Sequence, residues 1–207
     1  ENSALVSALK VHDEMRIELM AGQYLDVREA GERSPSVDRS LRIARYKSGK
    51  YTIERPLHLG ASLAITDEAE RKDLTNILSA YGLPLGEAFQ LRDDMLGIFG
   101  DPSVTGKPAG DDIREGKRTV LMAMTLERAD QQTSAKITAA LGRADLTSDQ
   151  IEEIRGLITA TGAVKDVEDL IEGLLSNALT AANSAEINPS ARELLIELAT
   201  TATRRSH

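Results

Sequence analysis

The 207-residue sequence contains no cysteine, and this absence excludes disulfides, thiolate metal sites and cysteine nucleophiles. It also lacks an apolar run close to the roughly 18 to 20 residues that a membrane-spanning helix needs, and no charged-then-apolar leader opens it. We therefore expect a soluble, cytoplasmic protein. An excess of positive charge is missing too. The 25 basic and 33 acidic residues give a net charge of -8, which argues against nucleic acid or an anionic membrane surface as a partner.

Apolar residues make up 41% of the sequence, which is enough for the core of one domain over residues 1–207. They recur at helical rather than alternating spacing, so we predict an all-α fold. The predicted helices are 3–30, 39–47, 51–63, 67–81, 82–99, 117–128 and 133–141, followed by three in the tail. Pro56 is expected to kink its helix or to lie in a first turn. Thr147 and Gln150 predict a capping box, and the last helix is expected to begin at Asn188-Pro189.

The helix predicted over 82–99 carries a polar stripe beside its apolar one. Gln90, Asp93 and Asp94 fall at i, i+3 and i+4, so they share one face. Adjacent aspartates are most often a solvated helix end. At the end of an apolar helix, however, two neighbouring carboxylates repel one another, and a cation between them relieves that repulsion. Mg²⁺ suits such a pair because it prefers hard oxygen ligands and is commonly completed by phosphate oxygens.

Two lysines follow glycines in the next stretch, in Gly106-Lys107-Pro108 and Gly116-Lys117-Arg118. A nucleotide-binding P-loop requires four residues between its glycines and a hydroxyl after the lysine, and neither run meets that pattern. Taken alone, both lysines are equally well explained as solvated residues of a loop. Beside the paired aspartates, they indicate a site that holds a metal ion and a diphosphate together.

Two earlier segments have ordinary explanations when each is taken alone. Gln23 and Asp26 lie three apart on one helical face, which is typical of a surface pair. Lys47 and Lys50 follow a short helix, where basic residues complement the helix dipole.

Together these segments resemble the trans-type polyprenyl diphosphate synthases, the bacterial geranylgeranyl and farnesyl diphosphate synthases in particular. The elements that carry the resemblance are Gly22–Asp26, Tyr46–Lys50, Phe89–Asp94, Thr105–Pro108 and Gly116-Lys117. It implies an isoprenoid synthase fold, a helical bundle around a central cavity. It also implies a Mg²⁺-dependent prenyltransferase that condenses an allylic diphosphate with isopentenyl diphosphate, and a homodimer.

The resemblance also implies a role for individual residues. Asp93 and Asp94 would bind the metal, with Asp111 as a weaker, water-bridged contact. The diphosphate would be bound by lysines. The lysines implied are Lys47, Lys107 and Lys117. The catalytic residues implied are Lys47, Ser48 and Gln90, of which Gln90 and Ser48 would face the allylic cation.

Two departures from the family pattern affect these expectations. Gly97 stands where the family commonly has a third aspartate, so we expect a weakened metal site. The family's first aspartate-rich motif and its isopentenyl diphosphate-binding residues have no counterpart in this sequence. We therefore interpret the sequence as a C-terminal portion that lacks the N-terminal helices and has little or no activity alone. A non-catalytic regulatory subunit of a heteromeric synthase is the alternative. Terpene cyclisation is disfavoured by the Thr105–Pro108 loop.

Overall fold

The computed structural model describes residues 2–30, 36–102, 106, 108, 110–184 and 186–204. Helices account for 85% of it, and the described residues contain no strand, so the all-α prediction is confirmed. The helices are α1 (Asn2–Ala30), α2 (Val37–Ala44), a π-helix (Arg45–Glu54), α3 (Arg55–Ala64), α4 (Glu68–Phe99), α5 (Asp111–Glu115), α6 (Val120–Arg128), α7 (Gln131–Ala140), α8 (Ser148–Ala160), α9 (Ala163–Ala182) and α10 (Pro189–Arg204).

Helix α4 is a single helix of 32 residues, where the sequence analysis predicted two that met at residue 82. Asp67 caps its start by accepting a hydrogen bond of 2.9 Å from the backbone N–H of Glu70. Pro84 lies inside the helix and removes one backbone hydrogen bond. The neighbouring Leu85 and Leu91 are fully buried, and each such side chain contributes about 1.5–3 kcal/mol. Packing on this scale keeps the helix continuous through Pro84.

The segment between α2 and α3 is continuous with both and forms a π-helix of ten residues. The sequence analysis ended a helix near Lys47 and began another at Tyr51, so it missed this element. Pro56 lies in the first turn of α3, one of the two placements expected. Because it has no N–H, it cannot donate a hydrogen bond back to the π-helix that precedes it.

Helix α4 is the centre of the packing, with α9 along one side and the π-helix along the other. One hydrophobic cluster contains the C-terminal half of α4 and the five helices from α5 to α9. A second cluster contains the middle of α4, the π-helix, α9 and α10. Tyr81 is fully buried in the second cluster and donates a hydrogen bond of 2.8 Å to the carbonyl oxygen of Leu195. Gln90, Asp93 and Asp94 of α4 lie on a surface that α1, α2 and the π-helix also line.

The tail contains the three helices that were predicted, α8, α9 and α10. The capping box of Thr147 and Gln150 at the start of α8 is present, and α10 begins at Pro189 as expected. Within the described ranges, no helix is both long and apolar enough to cross a lipid bilayer.

Candidate functional site

A pocket of about 200 Å³ lies between the C-terminal end of α1, α2, the π-helix, α4 and the segment that leads into α6. Six of the side chains singled out from the sequence line it together. They are Lys47, Ser48, Gln90, Asp93, Asp94 and Lys117. Lys107 lies outside the described residues, and its role stays a prediction. The structure thus brings residues from three separate sequence segments to one place.

The wall formed by α4 is acidic. Asp93 is exposed, whereas Asp94 is only 8% exposed and accepts a hydrogen bond of 2.8 Å from Nε2 of Gln90. Burial raises the pKa of Asp94 to about 7. The hydrogen bond from Gln90 opposes this shift, and the charges of Asp112 and Asp93 add to it. Asp94 is therefore a carboxylate whose charge is costly unless a cation lies beside it.

A third carboxylate approaches from α5, against Gly97 of α4. An ideal Cβ placed on Gly97 would lie 2.0 Å from Oδ2 of Asp112, so only glycine leaves room for that carboxylate. Asp112 is 5% exposed and accepts a hydrogen bond from Nζ of Lys117. Burial acts to lower the pKa of Lys117, but its hydrogen bonds to Asp112 and Glu115 raise it overall, which keeps the ammonium charged.

The opposite wall comes from α1 and the π-helix. Nζ of Lys47 donates a hydrogen bond of 2.6 Å to Oδ2 of Asp26. Asp26, one of the pair expected to be a surface feature of α1, thus lines the pocket, whereas Gln23 is not among the lining residues. Ser48 lies next to Lys47 in the lining, with its Oγ 3.5 Å from Oγ1 of Thr52. The two walls together line the pocket with the ammonium groups of Lys47 and Lys117, the hydroxyl of Ser48 and the carboxylates of Asp93 and Asp94.

Sequence reasoning missed some residues of this site. Asp111 is not among the lining residues. Its neighbour Asp112 is not among them either, but it is buried and accepts a hydrogen bond from Lys117, which does line the pocket. The metal-binding role of Asp111 stays a prediction. Arg118 also lines the pocket, and its Nη1 is buried with no hydrogen-bond partner among the described residues. In the sequence, the position of Arg118 directly after Lys117 was the feature that could have indicated its place in the pocket.

The donor set fits a hard divalent cation, because it consists of carboxylate oxygens that repel one another. In the described part of the chain, no three acidic or histidine side chains are arranged to hold a metal by themselves. A cation at Asp93 and Asp94 would therefore need further oxygen ligands, which a diphosphate provides.

A family model described as polyprenyl synthetase matches residues 2–158. This chain belongs to the polyprenyl synthetase family. It is 31% identical over 153 residues to a short chain isoprenyl diphosphate synthase of Methanocaldococcus jannaschii, with 74% of this chain and 45% of the relative covered. It is 30% identical over 173 residues to a geranylgeranyl diphosphate synthase of Mycobacterium tuberculosis, with 84% and 48% covered. The chain thus spans about half the length of these relatives.

Among solved structures, the chain is similar to geranylgeranyl pyrophosphate synthase from Corynebacterium glutamicum, a complex with isoprenyl diphosphate and magnesium. The identity is 41%, the TM-score is 0.93, and 99% of this chain and 57% of that chain are covered. It is also similar to a polyprenyl synthase from Caulobacter crescentus complexed with calcium and isoprenyl diphosphate, at 28% identity and a TM-score of 0.82, with 97% and 59% covered. The expected family and its all-α fold are both confirmed.

Proposed function

We propose that this chain supplies the diphosphate-binding half of a Mg²⁺-dependent prenyltransferase. The reaction condenses an allylic diphosphate with isopentenyl diphosphate into a longer linear polyprenyl diphosphate. The observation that carries the proposal is the pocket that Asp93 and Asp94 line together with Lys47 and Lys117. Its relatives are named as prenyl diphosphate synthases, and solved relatives contain isoprenyl diphosphate with magnesium or calcium.

In this reaction the carbon–oxygen bond of the allylic diphosphate breaks, and its electron pair leaves with the diphosphate. Lys47, Lys117 and Lys107 would bind the departing group more tightly as its negative charge grows, which lowers the barrier. Asp93 and Asp94 would hold Mg²⁺, while Asp112, beside Gly97, binds Lys117 and so holds that ammonium group at the site. When bound, Mg²⁺ supplies charge stabilisation for the phosphate oxygens.

The double bond of isopentenyl diphosphate then attacks the allylic carbon, and loss of one proton from the new cation completes the product. Ser48 and Gln90 would stabilise the allylic cation through oxygen dipoles. Because Nε2 of Gln90 is engaged by Asp94, its Oε1 is the end of the amide that remains for this role. Neither group is a strong nucleophile, so each can face a cation without trapping it.

The remaining binding groups would come from helices that pack against α1. Helix α1 buries one face against the π-helix and α3, yet large apolar residues recur on its outer face at spacings of three, four and seven. They are Leu5, Val6, Leu9, Ile17, Met20, Tyr24 and Val27, each 52% to 74% exposed. A helix that is apolar on two faces is typical of a bundle interior. We place the opposing acids, those of the family's first aspartate-rich motif, on helices that cover this outer face. The isopentenyl diphosphate site would lie on the same helices.

The test is calorimetric titration of the chain with inorganic pyrophosphate, with and without Mg²⁺. We expect binding that requires Mg²⁺ and that Lys117→Met weakens roughly tenfold, because a charge-assisted hydrogen bond is worth about 1.5 kcal/mol or more. The matched control is Lys136→Met, which removes an exposed ammonium on α7 paired with Glu153 and should leave the affinity unchanged. No Mg²⁺-dependent heat would refute the site and favour the non-catalytic subunit.

A second assay follows prenyl transfer directly, with radiolabelled isopentenyl diphosphate and an allylic diphosphate. Because the opposing acids are assigned to other helices, we expect little or no product from this chain alone. Efficient turnover by the isolated chain would show that this assignment is wrong.

A further inference from the structure

The π-helix that carries Lys47 and Ser48 is ten residues long, whereas most π-helices are single turns inside an α-helix. Its hydrogen bonds run from i to i+5 instead of i+4, so each residue points in a direction that an α-helix would not give it. Whether Lys47 and Ser48 face the pocket therefore depends on this register being kept over the whole segment.

Along its sides, the π-helix is held by close backbone contacts at glycines. An ideal Cβ on Gly22 of α1 would lie 2.4 Å from the backbone nitrogen of Lys47, and one on Gly86 of α4 would lie 2.4 Å from the carbonyl oxygen of Gly49. These contacts fix how near α1 and α4 approach, but they carry no hydrogen bonds that would resist rotation of the segment about its own axis.

Its C-terminal end is held by a partly buried group of charges that we name the Glu18 cluster: Glu18, Lys50, Glu54 and Arg55. Glu18 of α1 accepts hydrogen bonds of 2.7 Å from Nζ of Lys50, from Nε of Arg55 and from Nη2 of Arg55. Oε2 of Glu54 lies 3.2 Å from the same Nζ. One carboxylate on α1 thus binds side chains from the last turn of the π-helix and the first residue of α3.

We infer that Glu18 is a positioning residue for Lys47 and Ser48, an inference that rests on the proposed function. Helix α1 contacts the π-helix through two carboxylates, Asp26 at Lys47 and Glu18 at Lys50. They are eight residues apart, which spans about 12 Å along α1. With both ends attached to one rigid helix, the segment cannot rewind into α-geometry without breaking an ion pair. Loss of Glu18 removes the link between α1 and Lys50 and leaves the C-terminal end with the contacts of Glu54 to Ser79 and of Arg55 to Glu14. These contacts do not hold Lys50, so rewinding there turns Lys47 and Ser48 away from the pocket.

The test uses Glu18→Gln, which keeps the size of the side chain and removes its charge. Two quantities are measured well below the melting temperature: the affinity for pyrophosphate with Mg²⁺, and amide hydrogen exchange across residues 45–54. We expect the affinity for pyrophosphate to fall roughly tenfold. We also expect amide hydrogen exchange to become faster in residues 50–54 and in residues 45–49, which lie next to the pocket. Arg55→Lys keeps the positive charge but loses the bidentate contact with Glu18. Its affinity for pyrophosphate should therefore lie between that of the unmodified protein and that of Glu18→Gln.

The matched control is Glu168→Gln, because Glu168 also binds an arginine through two hydrogen bonds of 2.7 Å, from Arg92. That pair links α4 to α9 and does not touch the π-helix. We expect Glu168→Gln to lower the free energy of unfolding comparably while the pyrophosphate affinity and the exchange at 45–49 stay as in the unmodified protein.

Normal affinity in Glu18→Gln, with lower stability alone, would reduce Glu18 to a structural role and overturn the inference. Faster exchange confined to residues 50–54 would overturn it as well. If the unmodified chain does not bind pyrophosphate at all, the proposed function fails, and the exchange at 45–49 still decides whether Glu18 controls the π-helix.

Discussion

Replacing Asp94 by Asn is expected to stabilise the metal-free protein at neutral and alkaline pH while it abolishes Mg²⁺-dependent pyrophosphate binding. The reason is the burial of the carboxyl group beside Asp93 and Asp112, which raises its pKa from 3.8 to about 7. An Asn side chain has nearly the same shape, carries no charge, and can still accept the hydrogen bond from Gln90.

The magnitude follows from the shift of about three pKa units, which at 1.36 kcal/mol per unit sets an upper bound of about 4 kcal/mol. Between about pH 4 and pH 7 the folded protein holds a proton at Asp94 that the unfolded chain has lost. The contribution of Asp94 to stability therefore falls as the pH rises through this window and is constant above it. The advantage of Asp94→Asn should grow from near zero at about pH 4 to at most about 4 kcal/mol at about pH 8.

The assay is urea unfolding in EDTA at several pH values across this window, with Asp73→Asn as the control. Asp73 lies on the same helix but is exposed, so its replacement should give a small difference that does not follow this course. A stability difference for Asp94→Asn that is independent of pH, or a less stable variant at pH 8, would refute the argument from burial. Retained Mg²⁺-dependent pyrophosphate binding would refute the role of Asp94 as a ligand.

Two further substitutions test the packing around the site. Gly97→Ala should cost about 1–3 kcal/mol in urea unfolding and weaken pyrophosphate binding, because its Cβ would collide with the carboxylate of Asp112. Gly173→Ala on α9 meets open space and should leave binding unchanged and stability equal or higher, so equal behaviour of the two variants would contradict the contact. Thr147→Ala removes the capping box with Gln150 and should cost about 1 kcal/mol with normal pyrophosphate affinity; a change in affinity would mean that α8 acts on the pocket.

The secondary structure was predictable from the sequence where it depends on residues close together in the chain. Helical periodicity gave the all-α class and the three tail helices, and Thr147 with Gln150 gave the start of α8, because capping depends on residues three apart in the chain. The motif residues were also recognisable, since paired aspartates and glycine-flanked lysines are chemically unusual at that spacing.

Boundaries failed where packing outweighs local preference. The predicted break at residue 82 does not exist, because the buried face of α4 continues through Pro84. The π-helix was missed for a similar reason, since the residues that pack against it or bind it, Gly22, Gly86 and Glu18, are far from it in the sequence.

The sequence by itself determined the helices and the chemical groups available for a diphosphate site, because both depend on residues near one another in the chain. Only the tertiary structure decided which of those groups meet. It placed the buried carboxylate of Asp112 against Gly97 and brought Asp26 and Arg118 into the pocket. The physical reason is that the direction of a side chain is set by how whole helices pack, and that packing involves residues far apart in the sequence.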